Sequence, residues 1–566
     1  MKLKITLILI ISVSLNFLIA QLSVGNDHNP YAVGTYESAG IYWATPQDGI
    51  CTVRYKMAGE EAWKQGLDLV YDPRDGEYRG SIIGLHPDTE YEVELSTTSN
   101  KANHTIRTRS DNFPIGKTTT LTEGESIQPV IITESGTPDA YHLVTVPDQS
   151  KSVLNMLNVH NYGIEIDADY VIVRGVEIRN AKIHGIIIRN GRHDIVIENT
   201  FITFWGRIGG PRTYGNLEGG MDSAIWAEEG TENLTIQRNL LKDPRGGSND
   251  WTTGHPAGPQ GVTIIQSKGG HVIRYNDIVS TEGHGFNDGI GGGRNFSFVG
   301  NMNRDSDIYG NFIRNVWDDA IESEGANMNV RIWGNYLEKY FIGIATAATS
   351  KGPVYIFRNV LGESRIGHSN SRGGMLFKAG ERDQYGGGRR YYFHNTALQP
   401  NGAVHAFSSH VHPNAITRNN IFDVPGRLAT NREKEPESDY DYDYFSGTTL
   451  GTAQQENGIS GNFTPSGTSL YLSSSNLEFY LRSTINSIIW GAHPYEFGDL
   501  SVNITDPVKQ IKNPLRDAGA FLPGFNDDYK GSGPDLGAFE FGAPPLEFGR
   551  RAYLDYDEGW SPWDLY

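Results

Sequence analysis

The chain has 566 residues, among them 67 glycines and a single cysteine, and 67 acidic against 48 basic residues leave a net charge of −19. One cysteine excludes a disulfide framework or a thiolate metal centre as the source of stability, and the acidic balance excludes the basic footprint that nucleic acid requires. Glycine, Asn, Asp and Thr in abundance favour strands and turns over helices.

Met1-Lys2-Leu3-Lys4 followed by an apolar run to Ala20 has the form of a secretory signal. Residues 1–20 are therefore expected to be removed and the mature chain to be secreted, extracellular or periplasmic. No later hydrophobic run is long enough to cross a bilayer, so no membrane insertion is expected. Residues 21–110 alternate apolar and polar positions in short runs such as Cys51-Thr52-Val53-Arg54-Tyr55, separated by Gly, Pro and Asp turns. That pattern predicts a β-sandwich, read as a packing module, with spacer or glycan-binding duty as the alternatives.

After about Asp111 the chain changes to short Val- and Ile-rich strands that each end in Asn: Asn199, Asn239, Asn276, Asn311, Asn335, Asn359, Asn395 and Asn419. Their spacings are 40, 37, 35, 24, 24, 36 and 24, so the unit is 24 residues and the longer steps carry insertions. A coil of that length with Asn at a fixed turn stacks into a ladder of buried amides. The repeat predicts a coiled solenoid over residues 111–480, with 481–566 as a C-terminal extension packed on it. Insertions gather on one face, which makes the uninterrupted coils ending at Asn335 and Asn359 an open floor between two walls.

About 14 residues before each ladder Asn lies the strand that lines this face. With its branched apolar residue inward, the period of two sends Arg189, Trp226, Thr263, Glu322, Glu324, Lys378 and His405 outward. Asp222, Asn287-Asp288 and Asp318-Asp319 fall at equivalent points of coils about 4.8 Å apart. Taken singly, each reads as a turn cap. The convergence of Asp288, Asp318, Asp319, Glu322 and Glu324 reads as a functional cluster, because packed carboxylates repel unless they are protonated or bridged by a cation.

Three resemblances follow from these residues. Gly84-Leu85-His86-Pro87-Asp88-Thr89-Glu90-Tyr91 resembles the tyrosine corner of fibronectin type III domains. The 24-residue coil resembles the right-handed parallel β-helix of pectate lyases, polygalacturonases and ι-carrageenases. Together these imply an all-β chain, a right-handed parallel β-helix preceded by a small fibronectin III-like β-sandwich. Around the cluster, Asp288, Asp318 and Asp319 are similar to the acids of polygalacturonases, but that family's later coils are absent and Gly283-His284-Gly285 lies on the wrong side of the pair. Asp288, Asp318, Asp319 and Glu322 are also similar to the calcium ligands of Lys-dependent pectate lyases, and Gly374-Met375-Leu376-Phe377-Lys378-Ala379-Gly380 looks like their base strand. One coil, Phe341 to Ala345, intervenes and sets Lys378 about 10 Å along the axis from the acids.

The lyase resemblance implies β-elimination on a uronate-containing glycan. Ca2+ would be held by Asp288, Asp318, Asp319 and Glu322, and Lys378 or His405 would be the base. Arg189, Trp226, Arg382, Arg389 and His284 would contact an acidic polysaccharide or oligosaccharide. The alternative is glycoside hydrolysis by Glu322 and Glu324, or by Asp319 against one of them, with Lys378 merely paired to an acid. A non-catalytic glycan-binding β-helix is the third reading, and it predicts aromatics without a carboxylate cluster. The chain is expected to act as a monomer.

Overall fold

The computed structural model describes residues 29–208, 221–251, 254–365, 374–380, 384–398, 405–407, 413–423, 437–445, 456–460, 515–540, 543–544 and 546–554. The proposed signal segment lies outside them. The first eight strands form two four-stranded antiparallel sheets. One runs Tyr31–Gly34, Ser38–Ala44, Glu77–Ile83, Val70–Asp72, and the other Lys64–Gln65, Thr52–Met57, Glu90–Ser96, Lys101–Arg107. Alternation drives this pairing: Tyr91, Val93 and Leu95 are buried while Glu92 and Glu94 face outward, and they meet Ile41, Trp43, Val53 and Tyr55 in one core. The Tyr91 hydroxyl accepts a hydrogen bond from the His86 amide at 2.8 Å, which ties down the corner that precedes its strand.

From Ile115 onward the chain coils through three long parallel sheets of 12, 10 and 13 strands, and each strand pairs with its equivalent in neighbouring coils. Among the described residues there is no α-helix. The interior of the ten-stranded sheet is a continuous register of Ile164, Ile186, Ile225, Val262, Ile290, Ile321, Ile344, Phe377 and Phe407. All are buried, and each such side chain removed from water contributes roughly 1.5–3 kcal/mol. This stack fixes which residues of each coil face away from the core.

The amide ladder forms, with two changes of register. Asn239, Asn276, Asn311, Asn335 and Asn359 each donate to the next Asn at 2.9–3.0 Å, ending at Asn395. Asn395 then donates to Asn420 rather than Asn419, and Thr200 rather than Asn199 bonds Asn239. Asn199 and Asn419 occupy the preceding position, where φ is +52° and +61°. That slot is left-handed along the ladder, filled elsewhere by Gly310 and Gly334 and also by Arg238, Tyr275, Arg358 and His394, and Asn is one of the side chains that tolerates it best. The ladder ends on Asp443, which accepts from Asn420 at 2.7 Å.

The sandwich is fused to the outer face of the 12-stranded sheet. Tyr42 donates to Asp305 at 2.9 Å, Tyr309 to Glu37 at 2.9 Å, and the Ser81 amide to the Tyr355 hydroxyl at 2.9 Å. Buried Arg331 bonds Asp307 and reaches Ser81 at 3.1 Å. Gly40 makes this approach feasible, since a Cβ there would stand 2.0 Å from Asp305 Oδ1. C-terminal residues Leu515, Leu536, Ala538 and Phe548 cover apolar residues of the 13-stranded sheet.

Candidate functional site

The register of the ten-stranded sheet brings the acids together. Two residues before the buried ladder lie Ser223, Gln260, Asp288, Asp319, Ile342, Met375 and His405. One residue after it lie Trp226, Thr263, Gly291, Glu322, Ala345 and Lys378. Asp288 and Asp319 are thus neighbours across one strand spacing, and the Asp319 amide donates to Asp288 Oδ1 at 3.2 Å. Oxygens of Asp288, Asp318 and Asp319 lie within 4.8 Å of one another, as do oxygens of Asp319, Glu322 and Glu324.

Lys378 joins them. The residue between it and Glu322 is Ala345, whose methyl leaves room along the sheet, and the lysine spans the intervening coil to place Nζ 2.6 Å from Asp319 and 3.3 Å from Glu324. The long, flexible lysine stem closes the one-coil gap that the sequence spacing leaves. Asp288 Oδ2 accepts from Asn287 at 2.8 Å and from Gln260. Glu324 accepts from the Ala347 amide at 3.1 Å, while His255 Nε2 stands 3.3 Å from Asp318.

All five acids are buried. Burial, reinforced by the neighbouring acids, pushes Asp288 up to about 8 and holds Asp318 and Glu322 well above the carboxylate range. Glu324 is pushed up to about 7 by burial, against the pull of Lys378. Burial works against the Lys378 ammonium, but Asp319 and Glu324 outweigh it and hold its pKa well above the usual value. One oxygen each of Asp318, Asp319, Glu322, Glu324 and Asn287 is buried without a hydrogen-bond partner. Orphan acceptors at this density are costly in a closed site. The oxygens of Asp288, Asp318 and Asp319 suit a hard divalent cation such as calcium, but the Lys378 ammonium already bonds Asp319, so an ion there would share that carboxylate with it.

The other nominated residues lie elsewhere. His405 is three strands beyond Asp319, about 14 Å along the axis. Trp226 is three strands before it, stacked on His184 at 4.7 Å. Arg189 is held by Glu165 and Glu228 at 2.8 and 3.0 Å. His284 Nδ1 bonds the Pro244 carbonyl at 2.7 Å and packs on Phe204. Arg389 precedes a strand of the 12-stranded sheet and lies over Tyr391, so the coil geometry carries it away from the acids. Arg382 lies outside the described residues.

The floor is not open. Phe341, Ile342 and Ala345 are buried, with Trp251 and Met375 packed against them. The insertion before Gln260 folds across the sheet: Trp251 donates to the Trp317 carbonyl at 2.8 Å and its ring meets Phe341 at 4.9 Å. Sequence reasoning also passed over Asn301, in the insertion after Ile290–Gly293. Its amide donates to the Glu322 carbonyl at 2.6 Å and accepts from the Glu324 amide at 3.2 Å, which fixes the strand end carrying both glutamates. Gln260 was findable, since it holds the register position of Asp288. Insertions have no period, and nothing in the sequence flags Asn301 or Trp251.

No family model matches the chain, and no curated protein matches it. Among solved structures it is similar to pectate lyase Pel9A, with 17% identity over 75% of this chain and 86% of that one and a TM-score of 0.39. It is similar to the catalytic domain of a GH87 α-1,3-glucanase in complex with tetrasaccharides, at 9% identity, 77% and 90% coverage and a TM-score of 0.27. A third is pectate lyase PelI from Erwinia chrysanthemi in complex with tetragalacturonic acid, at 10% identity, 66% and 88% coverage and a TM-score of 0.14.

Proposed function

We propose that this chain is an exported carbohydrate-active enzyme that cleaves a uronate-containing polysaccharide or oligosaccharide by β-elimination. The observation that supports this reading is the convergence of five buried acids, four with orphan oxygens, around Lys378. A non-catalytic β-helix has no use for such a cluster, which is costly to maintain unless it does chemistry.

Asp288, Asp318, Asp319 and Glu322 would hold calcium. When bound, such an ion would supply positive charge to neutralise a uronate carboxylate, which acidifies the C5 proton. Lys378 would accept that proton at Nζ. Its ammonium is held by Asp319 and Glu324, so it acts as a base only after losing its own proton, and turnover should rise with pH. Gln260, Asn287 and Asn301 hold the acids in place.

Hydrolysis by paired carboxylates is the second reading, favoured by Glu324 titrating near 7, in the range of a general acid. Oxygens of Asp319, Glu322 and Glu324 lie within 4.8 Å of one another, nearer the roughly 5–5.5 Å of retaining pairs than the roughly 6.5–9.5 Å of inverting ones, so hydrolysis here would proceed with retention. Substitution separates the two: under elimination Lys378→Ala abolishes turnover and Glu324→Gln is milder. The reverse order, with Lys378→Ala tolerated, would establish hydrolysis.

A further inference from the structure

The acid cluster is walled along the sheet and across it. Toward the first coils its neighbours are Gln260, bonded to Asp288, and Thr263, in register with Gly291. Toward the last coils they are Ile342 and Ala345, in register with Asp319 and Glu322. None of these four belongs to the solenoid core, yet each keeps 3% or less of its surface accessible. Trp251 closes the second side. Its ring packs on Phe341, its indole N–H donates to the Trp317 carbonyl at 2.8 Å, and Phe341, Ile342 and Ala345 form one apolar cluster beneath it. Across the strands, buried Asn301 ties down the end that carries Glu322 and Glu324. Solvent meets this surround at Lys378 and His255, whose side chains keep 21% and 40% of their surface.

We infer that this chain acts at the ends of glycan chains, with Trp251 as the barrier that stops a polymer from running through the site. The inference rests on the reading of the cluster as a glycan-cleaving site and names the part of the substrate which that site takes. An enzyme that cuts within a polymer binds sugars on both sides of the scissile bond while the chain continues past the site in both directions. A chain lying along this sheet would have to cross Gln260 and Thr263 on one side and Ile342 and Ala345 on the other, and both pairs are covered. Binding sites are mostly formed before the ligand arrives, and the protein moves little in most complexes, so the walls hold in the bound enzyme as well. A chain end needs a single mouth, and the mouth at Lys378 and His255 brings it to the acids. The C5 proton goes to Nζ of deprotonated Lys378 and its electron pair becomes the C4–C5 double bond. The C4–O bond breaks, and the departing oxygen takes a proton from water. The walls decide which bond is reached, one close to a terminus.

The test gives the full-length protein, with calcium, alginate, polygalacturonate and short oligosaccharides prepared from each. Ultraviolet absorbance counts double bonds, viscometry follows chain length, and mass spectrometry sizes the products, for wild type and Trp251→Ala, with melting curves to control for folding. Chain-end action predicts short unsaturated products from the first time points, viscosity that falls only in step with the mass released, and rates at equal mass that rise as the chains are shortened, in proportion to their ends. In Trp251→Ala viscosity should fall further for each double bond formed, because the barrier is gone. A wild type that collapses the viscosity before short products appear overturns the chain-end reading and leaves the cleavage reading intact. A variant that keeps the wild-type ratio of viscosity loss to double bonds, at unchanged melting temperature, overturns Trp251 as the barrier. Double bonds formed from no polymer and no oligosaccharide overturn the inference together with the cleavage reading.

Discussion

Calcium should stabilise this protein strongly at pH 8 and hardly at all at pH 5. In the fold without a cation, Asp288 titrates near 8 and Glu324 near 7, whereas both titrate near 4 in the unfolded chain. Below about pH 4 these groups are protonated in both states and exert no effect. As pH rises above that, the unfolded chain gives up the protons first, so stability falls by about 1.4 kcal/mol per pH unit for each group until its folded pKa is passed. Cation binding needs the ionised acids, and protons therefore compete with it. A cation at a hundred times its Kd adds about 2.7 kcal/mol, which offsets under a third of that penalty at pH 8 and finds no site at pH 5. Apparent melting temperature followed by intrinsic fluorescence, in a chelator or in excess calcium, at pH 5, 6.5 and 8, measures this. The chelated curve should move down with pH and the calcium curve should move down less steeply, the gap at pH 8 reaching several degrees. A gap that is absent at pH 8, or equal at pH 5 and 8, would refute the cation site.

Two further outcomes test the scaffold. Gly40→Ala places a Cβ 2.0 Å from Asp305 Oδ1 and 3.0 Å from Asn329, and should cost about 1–3 kcal/mol by overpacking; a denaturant titration that leaves the midpoint unchanged would mean the sandwich does not dock there. Asn335→Leu breaks the ladder at its centre: the backbone and side-chain amides of Asn311 both lose their acceptor, while Asn359 Oδ1 keeps its bond from the backbone amide of residue 335. It should cost about 2–5 kcal/mol for two unmet buried groups, read in the same titration.

Much of this was legible in the sequence because a solenoid repeats its local rules. The 24-residue period located the ladder, the period of two within each strand placed Glu322, Glu324 and Lys378 on one face, and the stacking of equivalent coil positions brought Asp288 and Asp319 beside each other. The errors have physical origins. Asn199 and Asn419 were counted as rungs because Asn suits both the buried amide position and the left-handed residue before it. The distance from Lys378 to the acids was overestimated by counting backbone spacing and ignoring a lysine that reaches across a coil over Ala345. Arg389 was assigned to the groove from its charge needs, yet it precedes a strand of the 12-stranded sheet, and His284, in the coil of Asp288, turns its ring to Pro244 and Phe204 instead. Trp251, His255 and Asn301 sit in insertions whose path is set by tertiary contacts alone, so the covering of the floor had no periodic signal.

The central claim is elimination at the Lys378 centre, and one incubation tests it most directly. Purified protein with calcium is given alginate, polygalacturonate and other uronic-acid glycans, and each reaction is followed at once for ultraviolet absorbance and for reducing ends. The account predicts that both rise together on at least one acidic polymer, because elimination leaves a conjugated unsaturated uronate at every cut, and that neither rises with Lys378→Ala. Reducing ends that accumulate without absorbance would contradict it.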